Sequence, residues 1–137
     1  MIVEKNPPLM TTEQARMLSA LQLAFMGDTI CDLLTRTRLM QTDSRVQLMH
    51  SKAAGIVNAR AQALQLAKIM PLLEEEELQL VKRARNAHPG HTVPKAASRE
   101  EYMQATAYEA LLGYLYLTGN MNRAAYLYDC ANKETEA

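Results

Sequence analysis

The chain has 137 residues, with 15 Lys and Arg against 15 Asp and Glu, so its formal net charge is zero. Apolar residues make up 48% of it, which excludes a disordered polyelectrolyte, and no apolar run is long enough to cross a bilayer. The expectation is one compact domain over residues 1–137 in the cytoplasm, with no room for a second domain and no signal peptide in the leading MIVEKNPPLM.

Five glycines and five prolines are few for this length, and Ala, Leu, Met, Gln, Glu, Lys and Arg dominate, so the predicted fold class is all-α. Residues 1–10 read as an irregular lead-in around Pro7-Pro8. Thr11 with Gln14 forms a capping-box pattern that opens the first helix, and Leu18, Leu21 and Phe25 follow at helical spacing. Gly27 interrupts that pattern, and a second helix is expected from Asp28 to about Met40. Asp43 or Ser44 caps a short helix to His50, and Ser51 begins another through Lys68. The Ala53, Ala54 and Ala61 face of that helix suits close packing. After a break at Pro71, residues 72–86 read as a helix with acidic first turns and basic last turns, matching the helix macrodipole. One long loop, Ala87 to Ala97, carries His88, His91 and Lys95. Ser98 with Glu101 is a second capping box, opening a helix that ends at Thr118 before Gly119-Asn120, and a last helix starts at about Asn122.

Cys31 and Cys130 have no CxxC or Cys/His spacing and read as two free thiols packed as small apolar residues. The chemistry-bearing anomaly is an acid set into each of two apolar helices: Asp28 within Leu23–Cys31 and Glu109 within Ala107–Leu117. Buried alone, either carboxylate is costly in its charged form. Each sits beside small residues at helical spacing, Ala24 and Gly27 for Asp28, Ala110 and Gly113 for Glu109, so the two acids can converge where the helices cross. Converging carboxylates suit a hard cation such as Mg2+, which activates water and stabilises charge on a phosphodiester during in-line attack. Spacing alone leaves a plainer reading open, in which Asp28 is an N-cap after Gly27 and Glu109 is an exposed helix glutamate or an arginine partner.

Four blocks of residues carry a resemblance. Leu23-Ala24-Phe25-Met26-Gly27-Asp28 is similar to the signature helix of ribonuclease III domains, and Tyr108-Glu109-Ala110-Leu111-Leu112-Gly113-Tyr114-Leu115-Tyr116-Leu117 to their second acidic helix. Val81-Lys82-Arg83-Ala84-Arg85-Asn86-Ala87 with Thr92-Val93-Pro94-Lys95, and Ser51-Lys52-Ala53-Ala54 through Ala61-Gln62-Ala63, resemble the Mini-ribonuclease III subgroup. The similarity spans about residues 15–128. It implies a ribonuclease III endonuclease-domain-like helical fold without a double-stranded-RNA-binding domain. It also implies a homodimeric endoribonuclease that cuts double-stranded RNA, leaving 5′-phosphate and 3′-hydroxyl ends. Asp28 and Glu109 would be the catalytic residues and Mg2+ ligands. The substrate implied is precursor 23S ribosomal RNA, presented with a large-subunit ribosomal protein. Fuller relatives carry further acids where this chain has Ala24 and Thr106, so the implied site is sparse. Asp32, one turn after Asp28, is expected to pair with Arg36 at i+4.

Duplex RNA is gripped largely through phosphates and 2′-hydroxyls, so basic and amide side chains are the expected contacts: Lys52, Arg83, Arg85, Asn86 and Lys95. For Lys82 the complement to the helix dipole is explanation enough. His88 and His91 lack a third ligand and read as loop residues near phosphate rather than a metal site. Tyr108, Tyr114 and Tyr116 fall on different sides of one helix and belong to core and interface. Nine methionines suggest adaptable apolar packing, some of it the homodimer contact. Two other classes remain as alternatives: a non-catalytic RNA-binding module on the ribosome, and a helical protein-interaction scaffold.

Overall fold

In a computed structural model, residues 9–42, 45–87 and 98–133 are described, and all of their regular structure is helical. The helices are α1 (Thr12–Met17), α2 (Ala20–Leu39), α3 (Val46–Ile56), α4 (Ala59–Ile69), α5 (Glu75–Arg85), α6 (Arg99–Leu117) and α7 (Met121–Asn132), with one 3-10 turn, Met70–Leu72, between α4 and α5. The expected all-α class holds.

Capping chemistry sets several boundaries. Thr11 and Gln14 exchange backbone and side-chain hydrogen bonds at the start of α1, and Ser98 and Glu101 do the same for α6. α6 ends in a Schellman arrangement. Gly119 adopts a φ of 83°, the Asn120 N–H donates to the Leu115 carbonyl at 2.7 Å, and the Gly119 N–H donates to that of Tyr116 at 3.1 Å.

Elsewhere the boundaries move from those expected. α1 stops at Leu18, and a further capping box, Ser19 with Gln22, starts α2, which runs unbroken through Gly27 to Leu39. Its core face is Leu23, Ala24, Gly27, Ile30 and Cys31, whereas Phe25 is 82% exposed and Leu21 also faces outward. α3 begins after Arg45 without a side-chain cap and passes through Ser51. The break comes instead at Asn58, whose Oδ1 accepts from the Ala61 N–H at 2.9 Å and so opens α4. Ala54 is exposed, Ala53 and Ala61 are half-buried, and α3 buries no residue, so its alanines do not make the close packing expected of them. α5 starts after Glu74 rather than at residue 72, because the 3-10 turn holding Pro71 intervenes. Asp43, Ser44 and the loop positions His88, His91 and Lys95 lie outside the described residues.

α6 is the central element: from Ala105 to Leu117 only Glu109 and Tyr116 escape full burial. It packs most extensively against α2, then against α4 and α5. Leu23, Leu66, Ile69, Val81, Tyr108, Leu111, Leu112 and Leu127 form the centre of the core. Glu77, 5% exposed, is anchored by Arg123 through contacts of 2.9 and 3.0 Å, and Arg123 also donates to the Leu72 carbonyl. Burial opposes ionisation of Glu77, but hydrogen bonds from Arg123 and the Glu74 N–H outweigh it and hold the carboxyl below its usual range.

The α2–α6 crossing is set by glycine. A Cβ added to Gly27 overlaps the Glu109 carbonyl group and stands 2.9 Å from the Glu109 Cα. One added to Gly113 overlaps the Leu23 carbonyl oxygen and stands 2.9 Å from the Gly27 nitrogen. The obstructing atoms are backbone, so no side chain can swing aside. Gly55 in α3 has nothing within 4 Å of an added Cβ.

These two kinds of glycine predict opposite signs. Gly55→Ala should stabilise the protein by up to ~1 kcal/mol through helix propensity. Gly27→Ala should instead destabilise it by ~2 kcal/mol or more, because overpacking against backbone overrides that gain. Thermal or denaturant unfolding of both variants checks this, and a rise in stability for Gly27→Ala contradicts the close crossing.

Candidate active site

The close crossing brings the two acids together. Asp28 is not an N-cap: it lies in the middle of α2, directly after the glycine that touches the Glu109 backbone. Asp28 is exposed at the mouth of the crossing and Glu109 is half-buried beneath it. The two carboxyl groups lie close enough for Asp28 to act on the ionisation of Glu109. Burial, and then the hydrogen bond and charge of Asp28, push Glu109 up to about 8, against a smaller opposing pull from the Gln62 amide. Ionisation of Glu109 is thus opposed by its surroundings.

Two arginines, one on α2 and one on α4, are engaged by other acids. Arg36 pairs with Asp32 at 3.2 Å, as its i+4 spacing suggests, and Arg60 pairs with Glu101 at 3.1 Å. The acid pair is thus left to share its negative charge at a site open to solvent on the Asp28 side.

Two further side chains border the pair, and neither is evident from spacing. Gln62 of α4 is 4% exposed, and its Nε2 lies 3.5 Å from Glu109 Oε2. Cys31, one turn after Asp28, is a buried free thiol, as its lack of motif suggests. Burial first, then the charges of Glu109 and Asp28, push that thiol up, which keeps it protonated and inert. A glutamine in an otherwise Ala- and Leu-rich helix is the one signal that points to Gln62, and it names no partner.

The expected RNA contacts are spread over separate helices. Lys52 is exposed on α3. Arg83 is exposed on α5, and one of its guanidinium N–H groups donates to the Arg16 carbonyl at 3.0 Å, so it also ties α5 to the last turn of α1. Arg85 is half-buried in the last turn of α5, and Asn86 is its exposed C-cap. Tyr108 and Tyr114 are buried, in line with a core role, and Tyr116 is half-buried. Tyr114 donates a very short hydrogen bond to Glu76, which also pairs with Arg16 at 2.8 Å.

The sequence and the helical fold have known counterparts. Residues 21–120 match the family model for the ribonuclease III domain. A Mini-ribonuclease 3 from Thermoanaerobacter sp. is 42% identical over 120 residues, covering 87% of this chain and 84% of that protein. A Mini-ribonuclease 3 from Symbiobacterium thermophilum is 42% identical over 115 residues, covering 83% of this chain and 88% of its relative. The crystal structure of a protein from Fusobacterium nucleatum superposes with a TM-score of 0.79 at 33% identity, covering 87% of this chain and 97% of that one. The chain therefore belongs to the Mini-ribonuclease 3 group of the ribonuclease III family, and it is an endoribonuclease.

Proposed function

We propose that this endoribonuclease cleaves double-stranded RNA with Mg2+ held by Asp28 and Glu109, acts as a homodimer in the cytoplasm, and matures the termini of precursor 23S ribosomal RNA. The observation that carries the reading is the convergence of Asp28 and Glu109 at the Gly27–Gly113 crossing. Two adjoining carboxyl groups, one of them held up to about 8 by burial and by its neighbour, with one side open to solvent, fit a hard divalent ion that keeps most of its waters.

When bound, such a cation activates water and neutralises charge developing on the phosphodiester. The protein's part is geometric and electrostatic. α2 and α6 fix the two carboxylates at the glycine contact. The exposed Asp28 faces the solvent from which RNA approaches, while Glu109 is held from below. Lys52, Arg85 and Asn86, with Arg83 and Lys95, supply the phosphate and 2′-hydroxyl contacts that duplex RNA requires. Their spread over α3, α5 and the segment after α5 suits an extended duplex better than a small ligand.

The homodimer is supported by large apolar side chains left exposed on α1 and α2, Met17, Leu21, Phe25 and Leu33. Exposed apolar surface of this kind suits association with a second copy. Ribosomal RNA as substrate, with a large-subunit ribosomal protein presenting it, rests on the subgroup resemblance. No helix among the described residues is long and apolar enough to cross a membrane.

Purified protein incubated with duplex RNA and Mg2+ should cleave it into 5′-phosphorylated products. Asp28→Asn should lower the rate by roughly a hundredfold or more, since a cation contributes several kcal/mol of charge stabilisation and each ~1.4 kcal/mol is a factor of ten. Undiminished cleavage by that variant contradicts the assignment.

Proton linkage gives a second check. A carboxyl raised in the folded state contributes stability that is present below its ordinary range and lost as pH rises toward about 8. The metal-free protein should therefore lose stability across that window, relative to Glu109→Gln. Mg2+ should bind more tightly as pH rises through the same window, releasing a proton. Calorimetry in buffers of different ionisation enthalpy measures that proton; binding without proton release contradicts the raised Glu109 carboxyl.

A further inference from the structure

α4 turns Leu66 and Ile69 into the core, and two glutamines interrupt that buried face, Gln62 and Gln65. A buried amide costs free energy unless it finds partners, so each calls for a task. Gln65 has a local one: its Nε2 donates to the Ile56 carbonyl at 2.9 Å, closing the turn between α3 and α4. Gln62 reaches 47 residues away to Glu109 Oε2 at 3.5 Å, the long limit of hydrogen bonding.

The identity of the side chain matters here. An amide donates an N–H to a carboxylate without adding charge, so the remaining lone pairs of Glu109 stay available to a cation. A lysine in its place would neutralise the carboxylate and compete with the ion. Glutamate has three side-chain torsions to be ordered, which is unfavourable without a partner. The Gln62 N–H, 3.5 Å from Glu109 Oε2, is such a partner, brought in from a third helix.

We propose that Gln62 is a positioning residue, fixing the Glu109 carboxylate in the orientation that receives the divalent cation. The inference rests on Asp28 and Glu109 being the cation ligands. It assigns to α4 a role in the site that neither acid-bearing helix supplies.

The test uses Mn2+ alone, titrated into the metal-free full chain without RNA, with free Mn2+ followed by its electron paramagnetic resonance signal. Gln62→Met keeps the side-chain length and removes the donor, while Gln65→Met makes the same chemical change one turn along without touching Glu109. Outer partners of metal ligands carry on the order of tenfold in affinity, so Gln62→Met should weaken Mn2+ binding about tenfold while Gln65→Met stays within about twofold. Gln62→Asn, which keeps the amide but draws it back by one methylene, should also weaken binding. With duplex RNA, Gln62→Met should lower kcat and leave KM unchanged. Tight Mn2+ binding by both Gln62 variants overturns the proposal, as does equal weakening by Gln65→Met, which would mark a loosened α4. Asp28→Asn separates the two levels. If it binds Mn2+ like the unmodified protein, the cation site itself is wrong; if it loses binding while Gln62→Met does not, only the role of Gln62 fails.

Discussion

The contact between the α2 and α6 backbones at Gly27 and Gly113 is the constraint on which the rest of the structure depends. At this separation there is no space for even a methyl group between Gly27 and the Glu109 carbonyl. Glycine in a helix interior is unfavourable by roughly 1 kcal/mol relative to alanine, so its use here needs compensation. That compensation is close packing: α6 sits at the centre of the fold, buried on nearly every side, with α2, α4 and α5 around it. The same contact delivers Asp28 and Glu109 to one point. Fold and site are thus two consequences of one backbone approach, and a change that separates the helices disturbs both.

The electrostatics follow from that placement. Two carboxyl groups forced together at a partly desolvated crossing resist double ionisation, which is why Glu109 is raised to about 8. Arg36 and Arg60 are engaged by other acids, Asp32 and Glu101. A site that withholds its own countercharges is preorganised for one brought by a divalent ion. By contrast, the buried Glu77 is fully answered by Arg123 and the Glu74 N–H, and it works as a fastener between α5 and α7. Partner supply distinguishes the two acids: Glu77 meets a guanidinium, whereas the half-buried Glu109 meets the uncharged Gln62 amide and a second acid.

Local chemistry was legible in the sequence, and long-range chemistry only through resemblance. The Thr11–Gln14 and Ser98–Glu101 boxes and the Gly119 stop are visible because a cap needs partners only three residues away. Gly27 was legible in two conflicting ways, as a helix break and as a point of close approach. The second prevails, because α6 compensates the propensity that α2 gives up, and the break moves to Ser19. The α3–α4 boundary at Asn58 was hidden because an Ala- and Leu-rich run continues on both sides of it. Spacing alone could not decide between a capping aspartate and a site residue at position 28, since the deciding neighbour, Glu109, lies far along the chain. Gln62 was illegible as a site residue for the same reason. Phe25 reads as core by periodicity yet faces outward, because the core face of α2 runs through Leu23, Ala24, Gly27, Ile30 and Cys31.

The central claim is that Asp28 and Glu109 jointly hold one divalent cation. Anomalous diffraction from a crystal of the protein grown with Mn2+ tests it most directly. The account predicts an anomalous peak coordinated by one carboxylate oxygen from each of Asp28 and Glu109, lost in Asp28→Asn. An anomalous peak elsewhere, with the two acids unligated, would contradict it.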